Sequence, residues 1–192
     1  MTTKRDFYWN IRSIANSTIE DMNELERQAK IIDDKIKSKR YTPDIVSKEL
    51  VPELQNIKRE INKRKEEGCK AIRTCSDEYI IELRKADQLN PDNLTDDIKL
   101  LQSGVALSAD DLTMLFDRNA GNSTMQKLIT DFAKQHDRDI QRYYRPANAD
   151  LIMSVNTIPE AMQTVLNWYN KPSIYEQLIG EGSKFEQYFC KE

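Results

Sequence analysis

Apolar positions in the first forty residues step alternately by four and three: Ile11, Ala15, Thr18, Met22, Leu25, Ala29, Ile32 and Ile36. That spacing is the seam of a coiled coil and predicts one long helix with a single apolar face. At Arg40-Tyr41-Thr42-Pro43-Asp44 the pattern stops. There Thr42 can cap a new helix whose first residue, Pro43, has no N–H to leave unsatisfied. The seam then resumes through Leu50, Leu54, Ile57, Ile61, Arg64, Gly68, Ala71 or Ile72, Cys75 and Tyr79, with a kink expected near Pro52 and an end near Ala86. Facing residues of an antiparallel hairpin have a constant sum of residue numbers. The pairs Ile36/Val46, Ile32/Leu50, Ala29/Leu54, Leu25/Ile57, Met22/Ile61, Thr18/Arg64 and Ala15/Gly68 all add to 82 or 83. In this register Ala15 meets Gly68 in a close approach of the two backbones, and Thr18 with Arg64 forms a polar layer inside the seam.

Asn90-Pro91-Asp92-Asn93 is the clearest break in the chain. Beyond it, helix-start signals recur as Ser123-x-x-Gln126, Thr157-x-x-Glu160, Ser173-x-x-Glu176 and Ser183-x-x-Glu186, with a weaker one at Ser108 followed by Asp110 and Asp111. Gly104 and Gly121 stand where preceding helices can end. Helices are therefore expected near 95–103, 108–118, 123–143, 157–170, 173–180 and 184–190. Their apolar faces are Met125, Leu128, Ile129, Phe132 and Ile140, then Ala161, Met162, Val165, Trp168 and Tyr169, then Ile174, Leu178 and Ile179. The run Leu151-Ile152-Met153-Ser154-Val155 is open to three readings: a short strand, an extended linker or a helical turn. The expected fold is all-α, a long coiled-coil-like antiparallel hairpin over residues 1–89 followed by a small bundle of short helices over 90–192.

Composition agrees with that class. The chain has five Gly and six Pro, 32% charged and 39% apolar residues, which suits helices with one wet face and disfavours a β-sheet core. No run reaches the roughly 18 apolar residues of a membrane span, and the start leads into no signal-peptide core. The expected location is the cytoplasm, with the thiols of Cys69, Cys75 and Cys190 reduced. Net charge is −3; residues 1–90 carry 19 basic and 17 acidic side chains, and 91–192 carry 10 and 15. Neither half has the basic excess of a general polyanion or membrane-surface binder.

Catalytic chemistry finds little purchase. His136 is the single histidine, so one base is available to any nucleophilic arrangement, and its place between Phe132 and Ile140 marks it as a packed or rim residue. No G-x-x-x-x-G-K-[ST] or G-x-G-x-x-G loop is present. Asp96/Asp97 and Asp110/Asp111 fall at helix starts, where acids complement the macrodipole. No catalytic, cofactor-binding or metal residue is expected, and neither is a small-molecule substrate. Lys58, Arg59, Lys63, Arg64, Lys65, Lys70 and Arg73 form a basic stripe, but the register sets the first five against Glu20, Asp21, Glu24 and Glu26, so cross-helix ion pairs are expected to absorb them. The basic group at the hairpin tip, Lys35, Lys37, Lys39 and Arg40, has no acidic block opposite. At the other end the longer second helix leaves an apolar overhang, Tyr79, Ile80 and Leu83, in need of a partner, and Phe7-Tyr8-Trp9 at the same end is expected to pack there with the second half of the chain or with another subunit. Phe7, Tyr8, Trp9, Tyr79 and Leu83 are the candidate interaction surface. Tyr143-Tyr144-Arg145-Pro146 and Trp168-Tyr169 are expected in core packing or a junction rather than in a partner patch.

Residues Leu100-Leu101-Gln102-Ser103-Gly104, Leu107-Ser108-Ala109-Asp110-Asp111-Leu112 and Gly121-Asn122-Ser123-Thr124-Met125, with Leu128 and Phe132-Ala133, resemble a pattern found in small helical proteins of Gram-positive phages and prophages. Some of these are associated with head morphogenesis. The resemblance implies a non-enzymatic structural or morphogenesis protein, virion-associated if phage-derived, that works through a protein partner or self-association. It carries over no catalytic residue, because the matching positions are caps and core. The alternative expectation is a nucleic-acid-associated accessory protein using the basic tip.

Overall fold

The computed structural model describes residues 2–85 and 87–190. Every regular element among them is helical, so the chain is all-α. Helix α1 spans Lys4–Lys37, starting earlier than the seam alone required. Its start is a capping box: the Thr3 hydroxyl accepts from the Asp6 N–H at 3.0 Å, and the Asp6 carboxylate accepts from the Thr3 N–H at 3.2 Å. The hydrogen bond from the Thr3 side chain holds the Asp6 carboxyl below its ordinary pKa. After Ser38 the chain turns through Lys39, at φ 56°. Thr42 caps the short α2, Pro43–Ile45, with Pro43 in its first turn, as the sequence predicts.

The irregularity expected near Pro52 takes the form of a π-helical turn at Val46–Leu50, which leads without a break into α3, Val51–Lys85. Pro52 has no N–H for the carbonyl of Lys48, and its ring crowds that carbonyl; widening the preceding turn relieves both. Ala86, where the sequence places the helix end, lies outside the described residues.

Both seams are buried in part. Ile11, Ala15, Thr18, Met22 and Ile32 are buried on α1, as are Leu50, Gly68, Ile72 and Tyr79 on the facing side. The detailed register differs from the sequence count. A Cβ built on Gly68 would lie 2.6 Å from Thr18 Cγ2 and Oγ1, so Gly68 faces Thr18 rather than Ala15. Arg64 is exposed and pairs with Glu60 and Glu67 on its own helix, so no Thr18/Arg64 layer exists. Counting heptads assumes an unbroken repeat, and the π-turn interrupts it.

The described contacts divide the chain into one unit of Met1–Ile80 with Ser154–Glu192 and a second of Ile81–Met153. The boundary read at Asn90 does not mark this division, because the last helices return to the hairpin. In the first unit, α7 (Ala149–Asn167, its first turns lying before the division) is followed by α8 (Pro172–Ile179) and α9 (Lys184–Cys190). The open run 151–155 is helical, inside α7. Thr157 does not cap a helix there: its hydroxyl donates to the Ser154 carbonyl at 2.8 Å, and the helix continues through Pro159. Burial of Val155, Ile158, Met162, Val165 and Leu166 on one face outweighs the roughly 3 kcal/mol penalty of an internal proline. Ser173 is likewise not a cap, since α8 begins at Pro172 after Lys171. Ser183 does act as one, accepting from the Glu186 N–H at 3.2 Å.

The second unit contains the 3-10 turn Pro91–Asn93, α4 (Ile98–Gln102), α5 (Ala109–Arg118) and α6 (Ser123–Gln135). Its core is Leu112, Leu115, Phe116, Ile129, Ala133 and Ile140. Ser108 and Asp111 form a full capping box, and Gly104 and Gly121 take the left-handed conformation after their helices. Asn122, not Ser123, caps α6, and that helix ends at Gln135 rather than 143.

Candidate interaction surfaces

The aromatic end of the hairpin is covered within the chain. Phe7, Tyr8 and Tyr79 are buried, and Phe7 stacks on Tyr79 with ring centroids 4.4 Å apart. Helix α9 packs on α1 and carries Phe189, 2% exposed, to within 5.7 Å of the Phe7 ring and 6.5 Å of the Tyr8 ring. The Tyr8 hydroxyl donates to the Ile179 carbonyl at 3.1 Å, and burial raises its pKa. Leu83 is also buried, and its carbonyl accepts from the Asn148 side-chain amide at 3.1 Å. Of the five candidate surface residues only Trp9 faces solvent, 43% exposed beneath the Arg12 guanidinium, which lies 5.0 Å from the ring. For Phe7 and Tyr8 the covering segment is α9, from the second half of the chain, one of the two partners the sequence left open. Phe185, Tyr188 and Phe189 were the signal that could have located it: three aromatics crowd one short helix.

Away from that end the hairpin seam is less enclosed. Leu25, Ala29 and Ile36 on α1, and Leu54, Ile57 and Ile61 on α3, occupy core positions yet remain half-buried. Ile31, Tyr41 and Ile45 are exposed near the tip. At the tip itself Lys35, Lys37, Lys39 and Arg40 all face solvent. Lys37 pairs with Asp33, which raises its pKa. Among the described residues, Lys35, Lys39 and Arg40 have no ion pair.

The basic stripe on α3 is not neutralised across the hairpin. Lys63 and Arg64 pair with Glu60 and Arg64 also with Glu67, all along α3, while Glu24 pairs with Arg27 on α1. Glu26 instead stands by half-buried Tyr169, whose pKa is raised by burial and then by that carboxylate. The reason is geometric: neighbours three or four residues away on one helix meet without any demand on the hairpin register. The side chains of Lys65, Lys70 and Arg73 have no ion pair or hydrogen bond among the described residues. Together with Glu66, Cys69 and three residues of α7, namely Pro159, Gln163 and Asn167, they line a groove of about 430 Å³.

A second groove, about 530 Å³, lies in the other unit along α4 and α5, where Leu100, Val105, Leu107, Met114 and Leu115 meet. Val105 is 59% and Met114 72% exposed. Trp168, expected on the buried face of α7, is instead exposed beneath the Lys171 ammonium, 4.1 Å from its ring.

His136 closes α6 at its C-terminal end, stacked on Phe132 at 4.1 Å with Nδ1 3.0 Å from the Phe132 carbonyl, and is a rim residue. Burial raises the pKa of the Cys69, Cys75 and Cys190 thiols, so none is an activated thiolate. Asp97 is bound by Arg118, by two nitrogens, and by the Asn119 amide at 2.7 Å, which ties α4 to α5. Among the described residues, no group of three or more His, Cys, Asp and Glu side chains is placed to hold a metal ion. None of the described helices is long and apolar enough to cross a membrane. No family model, curated protein or solved structure matches the chain.

Proposed function

We propose that this is a non-enzymatic helical assembly protein whose working surface is the distal half of the hairpin. The observation that carries this reading is the half-open seam: six residues at core positions, Leu25, Ala29, Ile36, Leu54, Ile57 and Ile61, are only half-buried by the two helices that bear them. A two-helix seam leaves part of each core side chain open, and a further helix would cover that remaining apolar surface. The occupant is a second copy of the hairpin or a helical protein partner. The resemblance of residues 100–133 to small phage and prophage proteins supports a place among structural or morphogenesis proteins.

Light scattering across a concentration series tests the self-association form. The expected result is a mass above that of the 22.4 kDa monomer at high micromolar concentration, reverting to monomer in the Ile31→Glu/Ile45→Glu variant. Val105→Glu/Met114→Glu, on the other unit, is expected to leave the mass unchanged. A monomer at every concentration would remove self-association.

The unpaired Lys35, Lys39 and Arg40 support a second reading, nucleic-acid binding at the tip. It requires salt-sensitive oligonucleotide binding that disappears in the Lys35→Gln/Lys39→Gln/Arg40→Gln variant.

A further inference from the structure

We infer that the groove between α3 and α7 is a binding site for a run of consecutive phosphates, separate from the assembly surface and from the hairpin tip. Lys65, Lys70 and Arg73 converge on it from two turns of α3, and Gln163 and Asn167, one turn apart on α7, present amide donors from the opposite wall. From Lys65 to Arg73 the helix rises about 12 Å. That length exceeds one phosphate and suits a short run of them.

Three features favour this ligand over a passive solvated face. The three cations stand in one groove with no ion pair, while the neighbouring Lys63 and Arg64 pair along the helix. Like charges lining one groove repel one another, and a polyanion that enters the groove relieves the repulsion. One carboxylate, Glu66, lines the groove as well, leaving a net charge of +2, which attracts an anion more strongly the more charges the anion carries. The amides of Gln163 and Asn167 make no hydrogen bond among the described residues, so both can donate to phosphate oxygens. Arg73 adds a planar fork of donors that matches a phosphate edge.

The phosphates belong either to a nucleic-acid strand or to a free polyphosphate group, and the test separates the two. Anisotropy of a labelled fifteen-residue oligothymidylate, and calorimetry with inorganic tripolyphosphate, are measured on the full chain at about 50 and 200 mM salt. Binding of either probe is expected. In the Lys65→Gln/Arg73→Gln variant it should weaken at least tenfold, and for the oligonucleotide the slope of log K against log salt should fall by about 1.4. In Gln163→Ala/Asn167→Ala binding should weaken severalfold at an unchanged slope, because the amides carry no charge. These positions are at the surface or half-buried, and circular dichroism checks that each variant keeps its helix content. A strong preference for the oligonucleotide identifies a strand, and binding of tripolyphosphate alone identifies a small phosphorylated ligand. The proposal is overturned if neither probe binds at low salt, if the loss follows the Lys35/Lys39/Arg40 variant instead, or if poly-glutamate binds equally well.

Discussion

Phe189→Ala is expected to destabilise the unit formed by residues 1–80 and 154–192 by about 3–5 kcal/mol, the usual cost of emptying a buried phenylalanine site. The side chain is 2% exposed and packs against the rings of Phe7, Tyr8, Phe185 and Tyr188, so its removal leaves a cavity among them. Against a total stability of order 5–15 kcal/mol this is a large fraction, and the melting temperature should fall by about 10 °C or more. The loss has a second consequence. Helix α9 is a seven-residue helix that cannot hold its shape without the hairpin beneath it, so loosening Phe189 uncovers Phe7, Tyr8 and Tyr79 together. The variant should therefore bind a hydrophobic dye and associate with rising concentration through the aromatic end. Phe189→Leu, which keeps most of the volume, should cost under about 1.5 kcal/mol. Thermal melts followed by circular dichroism, with dye fluorescence on the same samples, make the measurement. An alanine variant that melts like the parent would mean that α9 does not seal this end.

Enlarging Gly68 should be the other severe change. In an isolated helix, replacing an interior glycine with alanine gains about 1 kcal/mol. Here the new Cβ would sit 2.6 Å from Thr18 Cγ2 and Oγ1 and 3.1 Å from Thr18 Cβ. Thr18 has little room to yield, because it is β-branched and its hydroxyl donates to the Ile14 carbonyl at 2.8 Å. The helices must then separate, and Ala15, Met22 and Ile72 lose contact along with Thr18. Gly68→Ala is expected to be net destabilising by about 1–2 kcal/mol despite the better helix former, and Gly68→Val by about 3 kcal/mol or more. The clash is specific to one neighbour. In a Thr18→Ala background the penalty for Gly68→Ala should shrink by about 1–2 kcal/mol, a coupling that a double-mutant cycle with denaturant unfolding reads directly. Equal penalties in both backgrounds would place Gly68 against something other than Thr18.

The same position shows how far sequence reasoning reached. Periodicity located both long helices, their apolar faces and the turn at Thr42-Pro43, because those properties depend on local spacing and local caps. It assigned Gly68 to a close approach but named Ala15 as the partner, since pairing depends on how residues are counted through a π-turn that is visible only in three dimensions. Capping signals behaved similarly. Ser108 and Ser183 act as caps, whereas Thr157 sits inside a helix because the apolar residues on both sides of it are buried on one face. The basic stripe was legible as a stripe, but its neutralisation across the hairpin was a tertiary statement, and the ion pairs run along α3 instead.

By itself, then, the sequence determined the all-α class, the two long helices, the aromatic cluster at Phe7–Trp9 and the basic tip, all properties of neighbours within a few turns of one helix. Only the tertiary structure decided what covers the overhang, which cations stay unpaired, and where the chain divides into units. Phe189 lies 182 residues from Phe7 and Asn167 lies 94 from Arg73. Contacts over such separations are selected by the total burial and electrostatics of the folded chain, which no local periodicity encodes.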